Sequence, residues 1–497
     1  MTRESRWWLA LSLALITVAA IQSDGFHHPD EYFQTLEFAG AKLGRTPLQD
    51  LPWEYTARIR SWLQPGLYYA LANAWAAIGV EDPFAWTLSF RLLSGFLGWL
   101  AVLSLVLCVP RWFPGEEARR VAVRVLCLAW FVPYLAVRTS SESLAASCLT
   151  LALSLLVLTP AGSATTSRDT RVPTALAGVL FGLAFEFRFA VGIAAAGAIA
   201  WAAFVARIPL RRLSWLVAGV AVVVLLVLGI DRWGYGEWVF PPHEYLFVNL
   251  VEGAAAQRFG SLPWYGYASI ATEGPAAPLV LILMAVTVVA WLRRPLHLLT
   301  WATAPFVVVH VLVAHKELRF LFPMATLSLV LAVLAFAPLG DRWDRRLRPL
   351  WEARRHPVAR VVVGLNLVAL AVFCLTPTQP QIGFQRFVWQ HHPKHFEGYL
   401  LTPFSPWVAA ELPMHFYRPE ELHLHPVASV TEVEALGLPR FLLITGSFDA
   451  PEPPASAYRC TPLYVSLPYW LREVAGHRVE AIPAWNLYRC VPKVPPE

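Results

Sequence analysis

The sequence predicts a polytopic α-helical membrane protein followed by a small α/β domain. Three observations carry that expectation. The 497 residues have a mean hydropathy of +0.49, with 57% hydrophobic and only 15% charged residues, whereas a soluble chain carries roughly 25% charged residues. Apolar runs long enough to cross a bilayer recur through the first 376 residues. Arginines gather in every second connection between those runs, as expected for spans of alternating direction.

A span needs roughly 17–25 apolar residues. The candidates are 7–23, 91–109, 121–137, 142–159, 173–189, 190–206, 213–230, 276–292, 297–314, 319–338 and 359–376, about 11 in all. The apolar stretch 173–206 is interrupted at Glu186-Phe187-Arg188 and is divided there. Segment 64–80 is short and follows charge, so it reads as an interfacial or re-entrant helix. The N-terminal run lacks a small-residue cleavage site and further spans follow it, so it reads as an uncleaved first span.

With the N-terminus in the cytoplasm, the basic loops on that side are 110–120 (Arg111, Arg119, Arg120), 160–172 (Arg168, Arg171), 207–212 (Arg207, Arg211, Arg212), 293–296 (Arg293, Arg294) and 339–358 (Arg342, Arg345, Arg346, Arg348, Arg354, Arg355). The net charge of +6 is therefore assigned to membrane orientation rather than to nucleic acid. Many of the 22 tryptophans stand near span ends (Trp7, Trp8, Trp112, Trp233, Trp264, Trp301), as interfacial anchors do. The opposite side receives the loop 24–90, the turns at 138–143, 186–188 and 315–319, the loop 231–275, and the tail 377–497. The division expected is thus 1–376 as a transmembrane domain and 377–497 as an extracytoplasmic domain.

Of the six cysteines, Cys108, Cys127, Cys148 and Cys374 fall in spans and read as small apolar residues. Cys460 and Cys490 lie in the tail, in a compartment where a disulfide is possible. No C-x-x-C occurs, and no zinc site is expected.

The side that receives the long loops also receives the chemistry-bearing clusters. Asp30-Glu31 follows His27-His28-Pro29 just beyond the first span. It reads either as a solvated loop with Asp30 as helix N-cap or as a pair from which one carboxylate acts as general base. Arg138 and Glu142 flank a short turn and have the option of pairing with each other, as do Glu186 and Arg188. His315, Lys316 and Arg319 form a cationic patch on the side where the orientation rule asks for none; a snorkelling anchor and a phosphate site are the two readings. The loop 231–275 is dense in aromatics, glycine and amide, a composition suited to sugar rings as well as to an interfacial belt. Taken together, a base, an anion patch and a sugar-friendly loop beside lipid suggest transfer of a sugar from a lipid-linked phosphate carrier.

The clusters also resemble a known family. His28-Pro29-Asp30-Glu31-Tyr32-Phe33-Gln34 is similar to the first-loop signature of the polyprenyl-phosphate-mannose-dependent mannosyltransferases. That group contains the GPI-anchor enzymes and the alpha-mannosyltransferases of N-glycan precursor assembly. The likeness continues through Trp53-Glu54-Tyr55-Thr56-Ala57-Arg58-Ile59-Arg60-Ser61, Arg138-Thr139 with Ser143, Asp231-Arg232-Trp233 with Tyr235-Gly236, Asn249, Gly260, Pro263-Trp264 and His315-Lys316-Glu317-Leu318-Arg319-Phe320. It covers residues from about 1 to 340, in the family's order, and the third-mannose GPI branch looks closest.

The resemblance implies a GT-C-type, inverting, integral-membrane glycosyltransferase with its active site on the extracytoplasmic face. An acidic residue of the first external loop would be the base, which by position is Asp30, with Glu31 beside it. The donor phosphate would fall to His315, Lys316, Arg319, Arg138 and Arg188. Sugar and acceptor contacts would fall to His28, Glu54, Arg58, Asp231, Tyr235, Asn249 and Trp264. The expected partners are a polyprenyl-phosphate-linked sugar, most simply mannose, a glycan or glycolipid acceptor, and membrane lipid.

No cofactor or metal is expected, although Asp30 and Glu31 have the chemistry to ligate a divalent ion. Glu186-Phe187-Arg188-Phe189 departs from the eukaryotic pattern, and no dilysine signal ends the chain. A bacterial plasma membrane is therefore expected, or the endoplasmic reticulum if the source is eukaryotic. The alternatives left open are a flippase of polyprenyl-linked sugars, disfavoured because the charges sit at span ends rather than at the midplane, and a GT-C enzyme using a different sugar.

Overall fold

The computed structural model describes residues 1–159, 170–274, 276–337, 357–446, 457–466 and 484–493. It divides into two compact units. The first comprises Met1–Ser23, Trp53–Leu71 and Leu88–Thr376; the second comprises Asp24–Pro52, Ala72–Thr87 and Pro377–Glu497. Two stretches of the first long loop therefore belong to the same unit as the tail.

The first unit is helical. Its main elements are α1 (Arg3–Gln22), α2 (Leu63–Ala76), α3 (Pro83–Trp112), α4 (Glu116–Leu128), α5 (Phe131–Ala136), α6 (Ser141–Leu158), α7 (Arg171–Phe187), α8 (Gly192–Phe204), α9 (Leu210–Tyr235), α10 (Ala277–Arg293), α11 (Leu298–Leu312), α12 (Phe322–Phe336) and α13 (Pro357–Leu375); α2 and α3 also run into the second unit. Among the described residues six helices are long and apolar enough to cross a membrane, and three more are apolar but shorter. Arg168 and the six arginines of 342–355 lie outside the described residues.

Two expected boundaries move. The run 121–137 is not one helix but α4 and α5, broken where Ala129 turns extended (φ −61°, ψ 130°). Pro133 explains the break, because its ring clashes with the carbonyl four residues back, that of Ala129, and it donates no hydrogen bond there. The groups set free are met from α13: Asn366 Oδ1 accepts from Trp130 N at 3.0 Å, and its Nδ2 donates to the Leu128 carbonyl at 2.9 Å. Backbone broken at membrane depth is tolerated only when it is satisfied in this way. The second shift is at α9, which continues to Tyr235. Asp231 and Tyr235 therefore stand on its last turns, and the loop begins at Gly236, whose φ of 81° ends the helix.

Small residues let α7 and α9 approach closely. A Cβ on Gly178 would lie 2.0 Å from the Leu216 carbonyl oxygen, and one on Gly219 would lie 2.4 Å from that of Ala175. Such small-residue contacts are the ordinary means of helix association where lipid removes the hydrophobic drive. The other side of α9 exposes Val222, Leu225 and Leu226, a surface suited to acyl chains rather than water.

The second unit contains a five-stranded mixed sheet in the order β4-β1-β5-β7-β6, made of β1 (His395–Leu401), β4 (Glu421–Pro426), β5 (Phe441–Thr445), β6 (Tyr458–Val465) and β7 (Asn486–Pro492), plus a two-stranded ribbon of β2 (Val408–Ala409) and β3 (Leu412–Pro413). β1 is parallel to both β4 and β5, while β7 runs antiparallel to β5 and β6. Alternation along the strands feeds two apolar clusters. One gathers Phe396, Leu400 and Ile444 with Phe384 and Val388 of α14 (Pro380–His391); the other gathers Phe441, Leu443 and Tyr488 with Val430 and Val433 of α15 (Val430–Glu434). The α/β domain expected of the tail is present, and Cys460 and Cys490 form a disulfide across β6 and β7.

Glu37 joins the loop segment to this unit. Fully buried, it accepts from the backbone N–H groups of His415 (2.6 Å) and Phe416 (3.1 Å) and from the Thr46 hydroxyl. Arg45 donates to the carbonyls of Phe416 and Arg418, each at 3.0 Å.

The Asn366 bridge yields a stability prediction. Asn366→Leu orphans one half-buried donor, the Trp130 N–H, and one half-buried acceptor, the Leu128 carbonyl; with each at the low end of the cost of an unmet buried group, the two together cost about 1–3 kcal/mol. Unfolding of the purified protein in detergent should show a loss in that range, with helix content otherwise retained.

Candidate active site

In the first unit three helix ends bring charge together. Ser140 caps α6, accepting from the Ser143 N–H, and places Glu142 in the first turn. Arg188 ends α7, and Arg319 lies on the short 3₁₀ turn Leu318–Leu321 that leads into α12. Glu142 Oε1 lies 3.4 Å from Arg188 Nη2 and 3.6 Å from Arg319 Nη1, so one carboxylate is shared by two guanidinium groups. All three side chains are at least nine-tenths buried. Glu317 extends the cluster by accepting from Arg319 Nε and lying 2.8 Å from His315 Nε2. The His315 Nδ1 is 3.1 Å from the Gly260 carbonyl oxygen.

Phe320 lies against both arginines, each guanidinium carbon 5.2 Å from its ring centre. Nη1 of Arg188 is buried and has no hydrogen-bond partner among the described residues. An unmet guanidinium donor in low dielectric is costly, and its chemistry invites an anion with oxygen acceptors.

The two remaining predicted cations meet backbone oxygens. Arg138, 1% exposed, donates through Nη2 to the Ser23 carbonyl and, at 2.7 Å, to its hydroxyl, and its guanidinium carbon lies 4.9 Å from the Tyr134 ring centre. Lys316 donates to the carbonyl of Leu262 at 3.0 Å and to that of Val313, covering the C-terminal end of α11. Burial pushes its ammonium below the usual lysine range.

A second polar group lies on the last turns of α9. Asp231 accepts from the Trp62 backbone N–H at 2.6 Å and from the Ser61 hydroxyl at 3.3 Å. Glu186, at the end of α7, is a second buried carboxylate of this unit. The Tyr235 hydroxyl donates to the Arg60 carbonyl at 2.7 Å, and the ring lies 5.6 Å from Tyr55 and 5.9 Å from Trp62. Glu54 is 3.9 Å from Arg60. Arg58, at a positive φ of 55°, pairs with Glu237 in an exposed bridge, a type worth about 0–1 kcal/mol. Asn249 donates to the Tyr245 carbonyl of its own helical turn, and Trp264 is 71% exposed with its edge against Tyr265.

His28, Asp30 and Glu31 belong to the second unit. The cap of their short helix is His28, not Asp30: the His28 imidazole accepts from the Asp30 N–H at 3.2 Å, and Pro29 occupies the first helical position. Proline there loses no hydrogen bond the helix needs. Asp30 keeps a side chain 23% exposed, with Oδ1 3.4 Å from His28 Nδ1. Glu31 is buried, and its Oε2 accepts from the His27 N–H at 2.8 Å. The two neighbouring carboxylates thus differ: one is anchored inside, the other reaches solvent.

Sequence reasoning named the cations of the buried cluster as its site but not the carboxylates that order them. Glu142 and Glu317 are each within a helical turn of a predicted site residue, so the signal was local. Glu186 was seen only as a partner for Arg188, and its burial leaves no signal in the sequence.

Apolar helices with buried charge at their ends and a small appended sheet define a multi-pass membrane protein of the GT-C type. The fold is shared with the crystal structure of ArnT from Cupriavidus metallidurans bound to undecaprenyl phosphate, at a TM-score of 0.53 and 13% identity, covering 97% of each chain. The apo structure of ArnT from the same organism gives 0.52 at 14% identity.

At the level of sequence the chain belongs to the Alg9-like mannosyltransferase family, whose profile matches residues 6–383. It is 26% identical over 414 residues to GPI mannosyltransferase 3 of Gibberella zeae, covering 73% of this chain and 63% of the relative. It is 24% identical over 384 residues to GPI alpha-1,2-mannosyltransferase 3 of Danio rerio (72% and 66%), and 25% identical over 342 residues to mannosyltransferase APTG1 of Arabidopsis thaliana (66% and 58%). The chain thus spans a little under two thirds of the length of these curated relatives.

The His315–Glu317 contact gives a pH prediction. The hydrogen bond that His315 Nε2 donates to Glu317 holds the imidazole above the ordinary histidine range. A raised folded value means that the pair stabilises fully below the unfolded value, about 6.5, and that this stabilisation fades as pH rises through the folded value. The stability deficit of His315→Gln should therefore be largest at about pH 6 and shrink toward pH 9 in thermal unfolding of the detergent-solubilised protein.

Proposed function

We propose that this protein is an inverting membrane glycosyltransferase that moves a sugar, most simply mannose, from a polyprenyl-phosphate carrier to a glycan or glycolipid acceptor on the extracytoplasmic face. The observation that carries the reading is the buried cluster of Arg188, Glu142, Arg319, Glu317 and His315 in a member of a mannosyltransferase family. The acceptor hydroxyl oxygen bonds to the anomeric carbon, the bond from that carbon to the phosphate oxygen breaks, and polyprenyl phosphate leaves with the electron pair. Attack from the face opposite the leaving group inverts the configuration.

Asp30 takes the hydroxyl proton. Its partial exposure and its place beside His28 suit a base, whereas the buried Glu31, bonded to the His27 N–H, serves to hold the turn. Arg188 and Arg319 hold the donor phosphate, with His315, Lys316 and Arg138 adding positive potential, and the unmet Nη1 of Arg188 supports that assignment. Guanidinium groups fit phosphate oxygens in pairs and stabilise the charge that grows on the leaving group.

Asp231, Tyr235, Glu54 and Arg58 frame the sugar or acceptor, with His28, Asn249 and Trp264 as further contacts. The departure at Glu186-Phe187-Arg188-Phe189 supports a bacterial plasma membrane as the location. No metal enters this mechanism.

The test is transfer from polyprenyl-phosphate-mannose in membranes containing the protein. Asp30→Asn should lower turnover about 10²–10⁴-fold, the usual worth of a general base; wild-type turnover would remove Asp30 from that role. Arg188→Lys keeps the charge but loses the fork. It should raise the donor KM roughly 10–100-fold, the equivalent of one or two charge-assisted hydrogen bonds, while leaving the acceptor KM nearly unchanged.

A further inference from the structure

The parallel pair of β1 and β4 alternates in an unusual way. β1 begins His395-Phe396-Glu397-Gly398-Tyr399, and β4 begins Glu421-Leu422-His423-Leu424-His425. Successive side chains of a strand leave opposite faces. Phe396, Leu422 and Leu424 pack into the apolar cluster, while His395, Glu397, Glu421, His423 and His425 remain exposed. The register sets His395 opposite Glu421, Glu397 opposite His423, and Tyr399 opposite His425.

His395 Nδ1 is 2.9 Å from Glu421 Oε2, His425 Nε2 is 3.0 Å from Glu397 Oε1, and the rings of His395 and His423 are 5.5 Å apart. One ligand atom from each of His395, Glu421 and His423 lies within 4.8 Å of the other two, the one such grouping among the described residues.

β4 is an edge strand of the five-stranded sheet, and charge on an edge discourages pairing with other chains. Lysine alone would achieve that. What the exposed face carries instead is imidazole and carboxylate groups interleaved across two strands.

We propose that His395, His423 and Glu421 bind a divalent transition metal of the zinc type, leaving a fourth position for water. Imidazole suits zinc, copper and nickel, whereas magnesium and calcium favour all-oxygen sites. Zinc–nitrogen and zinc–oxygen bonds of about 2.0–2.2 Å place tetrahedral ligands roughly 3.3 Å apart. Small side-chain rotations on an exposed face bring the three donors to that spacing, and the His395–Glu421 hydrogen bond gives way to two metal bonds. Cysteine spacing gives no sign of such a site, because its ligands come from strands whose paired residues stand 26 positions apart. This proposal is independent of the transferase reading.

The test is Zn2+ titration of the full-length protein, purified in detergent and stripped with chelator, by calorimetry and by competition with a fluorescent indicator. Wild type should take up one equivalent at micromolar metal and ignore Mg2+. His395→Ala and His423→Ala should each weaken binding at least as much as the roughly 10–100-fold that loss of an outer-shell partner costs. Glu421→Gln, which preserves shape, should also weaken it, so a folding defect in the histidine variants would not mask the answer. Failure of wild type to bind at micromolar metal would overturn the proposal, as would wild-type affinity in the doubly substituted His395→Ala/His423→Ala protein.

Discussion

One carboxylate governs the charged end of the helical unit. Glu142, 2% exposed, lies between Arg188 and Arg319, and each of these three charges would cost several kcal/mol if buried alone. Their mutual pairing is what allows α6, α7 and the turn before α12 to end in one place. The pairing also restricts geometry: a guanidinium held by a carboxylate on one side presents its remaining N–H groups in a fixed direction. Buried polar clusters that are only partly satisfied are unfavourable unless they serve a ligand, and that reasoning joins the ion pairs to the proposed phosphate.

The second unit solves a similar problem with a different acid. Glu37 receives two backbone N–H groups and a hydroxyl, so that residues 24–52 are fastened to the segment after β3. Asp50 and His415, 2.9 Å apart, add to the same junction. The His28-capped turn that carries Asp30 is therefore built into a unit with a disulfide and two apolar clusters rather than left as a free loop.

Much of this was legible in the sequence, and the limits have physical causes. Apolar runs reveal helices because hydrocarbon demands an internally bonded backbone, and each candidate run contains helix, although 121–137 is broken at Ala129. The break before α5 was in principle visible in Pro133, but its rescue by Asn366 was not, since that contact spans 236 residues. The motif around Asp30 stood out as a string, yet the string does not say that histidine rather than aspartate caps the turn. The anion patch was read from its cations alone. Glu142 read as a local partner of Arg138 because ion pairing across three helix ends leaves no periodicity to detect. The five exposed groups of β1 and β4 escaped for a related reason: parallel register depends on a crossover connection, and each strand alone reads as an ordinary alternating edge.

In the function proposed above, the sugar arrives on a lipid phosphate. The direct measurement is product formation in membranes offered radiolabelled polyprenyl-phosphate-mannose or, separately, the corresponding nucleotide sugar under conditions that block carrier loading. Labelled glycan is expected from the lipid-linked donor alone, with the anomeric configuration inverted. Transfer from the nucleotide sugar with none from the carrier, or retention of configuration, would contradict the proposed function.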